Sequence, residues 1–380
     1  MGTPLRRIYM GFAQKLETKQ GIASIQRQYL PLGKVGGKPA WLNPEIPVTV
    51  TQAACPVCKL PMSFVCQLYS SAAPEHAFHR YLYVFVCQNK DCQAHNSGRN
   101  FKVFRCQLPR ENKFFLSDRR LSYDVDGDVP DPCFNAETFA KLCNVCGINA
   151  KKLCAKCNST WYCDRSHQAI DWHEGHKLNC GKPELVDKDF KSKALLLEYG
   201  MTMEDDEVSD SESDADDDDD DDDSEEEEGD DVDELTKKVK NLLNKYDDKN
   251  AINELNELEE SERDTLFRRF RRTLGYNPQQ IIRYDRGGKP LLATDHSIKP
   301  TEVPNCHCGA VRQFEFQLTP YLISVLNFDS IGLDFATVLV YTCSDFCKIE
   351  NDGYAEEYVF KQDYKEVDAD AATLGSKVEE

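Results

Sequence analysis

Gly36-Gly37-Lys38-Pro39 returns as Gly287-Gly288-Lys289-Pro290, and the residues downstream of each tetrapeptide decide how the chain is built. Eighteen positions separate Gly37 from Cys55, and eighteen separate Gly288 from Cys306. Each of these cysteines opens a close pair, Cys55/Cys58 and Cys306/Cys308, and nine positions after the second cysteine comes Gln67-Leu68 or Gln317-Leu318. Tyr83-Val84-Phe85-Val86-Cys87 with Cys92 then matches Leu339-Val340-Tyr341-Thr342-Cys343 with Cys347. Fifteen positions run from Cys92 to Gln107 and fifteen from Cys347 to Gln362. Three spacings kept in one order after a repeated tetrapeptide imply two copies of one unit, near residues 34–110 and 284–365, with everything between them inserted. The runs Tyr81 to Val86, Phe101 to Phe104, Phe314 to Phe316 and Thr337 to Thr342 are β-branched and aromatic between turn residues, so each copy reads as β-rich. Such copies can pack face to face about a pseudo-twofold axis.

Each copy carries four cysteines: Cys55, Cys58, Cys87 and Cys92 in the first, Cys306, Cys308, Cys343 and Cys347 in the second. Two close pairs at the ends of neighbouring strands suit a closed tetrahedral zinc site of four thiolates. Buried free thiols are the plainer alternative, because cysteine packs well as a small hydrophobe. His95 and His307 stand beside these pairs as substitute donors.

Composition supports metal over disulfides. Seventeen cysteines in 380 residues demand an oxidising compartment or metal. Met1 to Lys15 has no apolar core of signal-peptide length, no later run approaches the roughly 18 apolar residues of a membrane span, and Arg6 stands where a myristoylation signal needs Ser or Thr. The expected setting is therefore a reducing cytoplasm or nucleus. The net charge of −20 is concentrated, since Glu204 to Glu234 holds 23 acidic residues and no basic one, and removing it leaves about +3. That tract cannot bury enough apolar surface to offset chain ordering, so it reads as a disordered acidic linker. Ser209, Ser211, Ser213 and Ser224 each have an acid three residues on, which acidophilic kinases accept. Beyond it, Leu235, Val239, Leu242, Leu243 and Tyr246, then Ile252, Leu255 and Leu258, recur at helical spacing. Phe267, Phe270 and Leu274, interleaved with Arg268, Arg269, Arg271 and Arg272, predict a helix whose phenylalanines pack on the second copy.

The insert contains Cys143-x2-Cys146-x7-Cys154-x2-Cys157-x5-Cys163-x3-His167-x8-His176-x3-Cys180. Eight such donors within 38 residues suffice for two tetrahedral zinc ions, and so few apolar residues need metal to hold a shape. Cys163/His167 and His176/Cys180 are i,i+4 pairs, able to share an ion from one helical face, with Ser166 as a possible cap. His173 is a rival to His176 and reads as solvated. Four protein donors leave no open position for water, so the metal is structural.

This order of donors, with Tyr162-Cys163, Gln168, Asp171-Trp172 and His176-Lys177, resembles a MYND zinc finger. The resemblance implies interleaving: Cys143, Cys146, Cys163 and His167 on one zinc, Cys154, Cys157, His176 and Cys180 on the other. His167 stands where most such fingers carry cysteine. Outside the finger, Met10-Gly11-Phe12-Ala13, Lys34 to Leu42, Asn277 to Tyr284, and Gly353-Tyr354 with Glu356-Glu357-Tyr358-Val359 resemble the programmed cell death protein 2 family. Pro290-Leu291-Leu292 departs from the Pro-Leu-Trp common there. The family implies a non-enzymatic factor of cytoplasm and nucleus that escorts a newly made small-subunit ribosomal protein in ribosome biogenesis.

The combined expectation is an α+β chain: a β-rich unit over 1–135, a MYND finger over 136–185, a disordered acidic linker over 186–234, and helices plus a second β-rich unit over 235–380. Zinc is the cofactor, two ions in the finger and two more in the four-cysteine sites. Enzyme chemistry is disfavoured, since His173-Glu174-Gly175-His176 lacks metalloprotease spacing and no phosphate-cradling glycine loop is present. Direct nucleic-acid binding is disfavoured by the near-neutral remainder and the acidic tract, and no membrane is implied. A monomer bound to a basic client protein is the expected working form. The runner-up is a transcription or chromatin cofactor docking proline-containing peptides through the finger.

Overall fold

A computed structural model of the chain describes residues 7–17, 25, 33–70, 72, 74–114, 139–182, 191–206 and 265–364. The acidic tract from residue 207 onward and the helices expected between Leu235 and Leu258 lie outside the described residues.

Each copy folds as four antiparallel strands. In the first these are β2 (Gly33–Val35), β3 (Ser63–Tyr69), β4 (His79–Val86) and β5 (Phe101–Leu108). In the second they are β9 (Gln280–Tyr284), β10 (Arg312–Leu318), β11 (Thr337–Cys343) and β12 (Ala355–Gln362). Strands β4 and β11 are buried along their whole length, on both faces, and β4 shows why. Its side chains alternate, so Leu82, Val84 and Val86 enter the core shared with Phe316, Val338 and Val340, while Tyr81, Tyr83 and Phe85 pack on the opposite face. Burying each such aliphatic or phenylalanine side chain stabilises by roughly 1.5–3 kcal/mol.

The duplication read from spacing is visible atom by atom. Gln67 accepts a hydrogen bond from the Ala40 amide at 2.8 Å, and Gln317 accepts one from the Leu291 amide at 2.7 Å. Ala40 and Leu291 each lie three positions beyond the second glycine of the repeated tetrapeptide. A β-bulge interrupts β3 between Phe64 and Cys66, and another interrupts β10 at the corresponding place, between Phe314 and Phe316.

The copies turn their inner faces onto one shared apolar core, as their repetition suggested, with Val84 and Val103 of the first in one cluster with Phe316 and Val338 of the second. They also join edge to edge, β5 against β12, with Ala355 opposite Arg105 and Glu357 opposite Val103. Antiparallel pairing of equivalent strands is what a twofold relation produces, and it satisfies two edges that would otherwise leave backbone groups unpaired. The other two edges, β2 and β9, are bridged by β1 (Ile8–Gln14) and β8 (Tyr199–Asp206), which closes a ten-strand barrel in the order β1-β8-β2-β3-β4-β5-β12-β11-β10-β9. This corrects the assignment of residues 186–234 to a disordered linker, because Tyr199–Asp206 is a barrel strand paired with β1 from Ile8↔Asp206 to Gln14↔Gly200. Its acids are tolerated because they lie at the surface and meet cations, Arg7 to Asp205 at 3.0 Å and Arg283 to Asp206 at 3.6 Å.

The body is therefore β-rich. Among the described residues the helices are short: α1 (Arg165–Asp171), α2 over residues 265–276, and α3 (Tyr321–Leu326). The α+β label expected from the sequence rested partly on helical runs outside the described residues. In α2 the predicted face holds, with Phe270 buried against Ala293 and Ala336 while Arg268, Arg269, Arg271 and Arg272 are exposed. No helix of the described residues is long and apolar enough to cross a membrane.

Candidate metal centres

Each of the four Cys-x1–2-Cys turns is built in the same way. The residue after its second cysteine takes positive φ: Lys59 (63°), Gly147 (73°), Asn158 (53°) and Gly309 (91°). That conformation returns its amide to the carbonyl of the first cysteine, at 3.0 Å for Lys59, 2.9 Å for Gly147, 2.9 Å for Asn158 and 2.8 Å for Gly309. The turn then points both sulfurs to one side. Gly and Asn adopt this conformation cheaply, whereas Lys59 carries a steric cost of roughly 1–2 kcal/mol.

In the finger, β6 (Lys152–Leu153) and β7 (Trp161–Tyr162) form a small hairpin that delivers Cys154 and Cys163. Helix α1 comes directly after it. Its N-cap is Asp164, whose carboxylate accepts from the His167 amide at 2.9 Å. Ser166, suggested as the cap, instead donates its hydroxyl to that same carboxylate. Cys163 thus lies before the helix and His167 in its first turn. A wider turn over Trp172–His176 and a final turn over Lys177–Asn179 carry His176 and Cys180 inward, while His173 is exposed.

The structure gathers four donor sets: Cys143/Cys146/Cys163/His167, Cys154/Cys157/His176/Cys180, Cys55/Cys58/Cys87/Cys92 and Cys306/Cys308/Cys343/Cys347. Within each set all donor atoms lie within 4.8 Å of one another. Four sulfurs about 2.3 Å from a tetrahedral ion stand about 3.8 Å apart, whereas a disulfide is about 2.05 Å. The separations match the former: 3.7 Å for Cys58–Cys87, 3.7 Å for Cys146–Cys163, 3.9 Å for Cys154–Cys180, 3.6 Å for Cys306–Cys347 and 3.7 Å for Cys308–Cys343. His167 Nδ1 is 3.1 Å from Cys163 Sγ, and His176 Nε2 is 3.4 Å from Cys154 and 3.6 Å from Cys157. The cysteines of these sets are free, and their soft donors in fours fit zinc. Hydrogen bonds from the Cys146 and Cys163 thiols hold Cys143 far below the usual thiol range, so the first set favours a thiolate.

The two neighbouring histidines part ways. His307 flanks the second-copy set, 3.4 Å from Cys306 and 3.7 Å from Cys347, while His95 turns to Asp363 at 3.7 Å.

Supporting residues explain the finger's fixed shape. Buried Asp171 accepts from the Tyr162 hydroxyl at 2.5 Å and the Asn144 side chain at 3.1 Å, tying helix α1 to β7 and the first turn. Sequence reasoning missed how the finger is seated. Its Cys143, Val145, Ile148 and Tyr162 share one core with Trp41, Val48, Tyr83 and Phe85 of the first copy. The Trp41 indole donates to Gly147 O at 2.7 Å, the Asn149 amide to Val48 O at 3.0 Å, and Lys38 Nζ to Asn144 O at 2.5 Å. Trp41 and Lys38 belong to the repeated segment, so its tryptophan was the available signal.

Two buried ion pairs were also illegible. Arg80 of β4 meets Glu315 of β10, with bonds of 2.5 and 2.7 Å, and Arg105 of β5 meets Glu357 of β12 at 2.6 Å; all four side chains are inaccessible to solvent. Burial alone would raise Glu315, but Arg80, aided by Arg286 and the Thr342 hydroxyl, holds it at about 2.

The chain matches three family models: Programmed cell death protein 2, N-terminal domain, over residues 7–121; the C-terminal domain of the same protein over 264–363; and MYND finger over 143–180. Among curated proteins it is 33% identical over 337 residues to Programmed cell death protein 2 of Bos taurus, covering 87% of this chain and 90% of that one. To the protein of that name in Mus musculus it is 31% identical over 364 residues, covering 94% and 96%. A Schizosaccharomyces pombe protein named Probable 20S rRNA accumulation protein 4 is 41% identical over 109 residues, 24% of this chain and 27% of its own length. No solved structure matches.

Proposed function

Because this chain belongs to the programmed cell death protein 2 family, and carries its MYND finger, we propose that it is a non-enzymatic, zinc-stabilised protein-binding factor of ribosome biogenesis. Its client is a newly synthesised small-subunit ribosomal protein, which it escorts in cytoplasm and nucleus. The observation that carries the scaffold half of this reading is the saturation of all four donor sets. Four protein donors apiece leave a bound zinc ion no position for substrate or water, so the metal confers shape. The ribosomal half rests on a relative whose name concerns 20S rRNA accumulation. The four sets take one zinc each, and the duplicated barrel with its seated finger presents the client with a rigid surface. The acidic tract, 23 carboxylates between Glu204 and Glu234, offers a basic client the charge density it later finds in rRNA.

The test is recovery of native partners from the full chain at low and high salt. A small-subunit ribosomal protein at near one-to-one ratio, weakened by salt, supports the escort. Chromatin factors held through the finger, with no ribosomal protein, overturn it in favour of a cofactor adaptor.

A further inference from the structure

The cysteine set of the second copy is held in place by side chains of the first. Arg105 of β5 donates from Nη2 to Cys347 Sγ at 3.3 Å and from Nη1 to Cys347 O at 3.1 Å. Gln107 of the same strand donates to the carbonyls of Phe346 and Cys347 at 3.0 and 2.9 Å, and His76 Nε2 lies 2.7 Å from Phe346 O. The other cysteine pair is reached through one shared carboxylate. Glu357 of β12 takes Arg105 Nε on one oxygen at 2.6 Å and Arg312 Nε on the other at 2.8 Å. Arg312 Nη1 in turn donates to the carbonyls of Pro304 and Asn305, both at 2.8 Å, immediately before Cys306.

Both halves of the second-copy set therefore hang on a buried Arg105–Glu357 pair that sits on the β5–β12 seam. Among the described residues no side chain of the second copy donates to a cysteine of the first-copy set. There Cys92 O accepts from Arg99 of the same copy at 2.9 Å, and the position matching Arg105, counted from Gln107 and Gln362, is Phe360.

We propose that the Cys306/Cys308/Cys343/Cys347 set is a zinc staple across the seam between the copies, with Arg105 as its positioning residue. This rests on the reading of that set as a zinc site. An N–H donated to a metal-bound sulfur orients it and offsets its charge, and losing such a partner costs metal affinity. Linkage makes the effect mutual: whatever favours seam closure favours metal in this set, and metal in this set favours closure. The first-copy set differs in that its cysteines take no side-chain donor from the other copy among the described residues, although the loop after Cys92 does reach the second copy, Gln93 to Gly332 O at 2.9 Å and Asn96 with Asp363 at 2.7 and 2.9 Å.

The test uses the full zinc-loaded chain and its Arg105→Met variant under a chelator, with cysteine alkylation resolved by peptide mass spectrometry and amide exchange followed across residues 103–105 and 355–357. The expected result is alkylation of Cys343 and Cys347 accelerated by about 10–100-fold, with Cys55, Cys58, Cys87 and Cys92 unchanged, and faster exchange at the seam. A Cys347→Ser chain should speed seam exchange in the same region. Should Arg105→Met not fold, Arg105→Lys, which keeps a charge beside Glu357 but loses the fork to Cys347, is read the same way. Wild-type protection of Cys343 and Cys347 in either folded variant overturns the staple while leaving the zinc reading intact. Immediate alkylation of those cysteines in the wild-type chain before chelator overturns both.

Discussion

The Trp41 indole of the first repeat and the Gly147 carbonyl of the finger form a buried 2.7 Å hydrogen bond that makes two sequence modules one body. Trp41 also packs its ring on Tyr83, Phe85 and Tyr354, so the same residue ties the finger to both copies. The corresponding position of the second copy is Leu292, which packs beside Val303, Phe314 and Tyr341 and has no indole to offer.

Replacing Trp41 with Phe should keep most of the apolar packing while orphaning Gly147 O, at a cost of about 1–3 kcal/mol. The check is the denaturant midpoint in zinc-containing buffer, paired with protease sensitivity at the finger boundary. An unchanged midpoint would show that the finger is seated by the apolar contacts alone.

Glu315→Gln should destabilise the fold by about 3 kcal/mol, since it leaves Arg80 buried against a neutral partner. The pH dependence has a definite sign. Glu315 is held at about 2 when folded, against roughly 4.3 for a free glutamate, so its contribution is fully present above about pH 4.3 and lost as pH falls through 2. The wild-type minus variant difference should therefore be flat between about pH 8 and 5. A slope in that window would assign the loss to another group.

The two repeated glycines should not be equally replaceable. Gly36 has φ +64°, and a Cβ there would stand 1.8 Å from Leu197 O, so Gly36→Ala should cost at least about 3 kcal/mol. Gly287 has φ +77° but nothing nearer than 3.8 Å, so Gly287→Ala should cost only the conformational strain, about 1–2 kcal/mol. Thermal midpoints of the two variants provide the comparison. Equal losses would mean the segment leading into β8 does not close over Gly36.

Elemental analysis should find about four zinc ions per chain, one per set of four donors. His167→Cys should retain all of them, because thiolate and imidazole serve a tetrahedral zinc equally, whereas His167→Ala should lose one and loosen α1. Two ions in the wild-type chain would confine metal to the finger.

The amino-acid sequence by itself determined what depends on short spacing. A Cys-x-x-Cys turn closes on itself through one positive-φ residue, so the close pairs are legible from spacing, while the interleaving of the finger's pairs into two sets came from its resemblance to MYND fingers. The same holds for the duplication, because Gln67 and Gln317 do one job at one distance from one tetrapeptide. Partnership across long separations was decided only in three dimensions. Strand edges carry no code for which edge they meet, so the β5–β12 seam and the insertion of Tyr199–Asp206 beside β1 could not be read from residues that look like the start of an acidic run. Buried charges are equally silent, because Arg80 and Glu315, 235 positions apart, become a pair only when a bulge and a closed barrel remove water from both. Local geometry is encoded residue by residue, whereas pairing is a property of which surfaces are left over once the local pieces have formed.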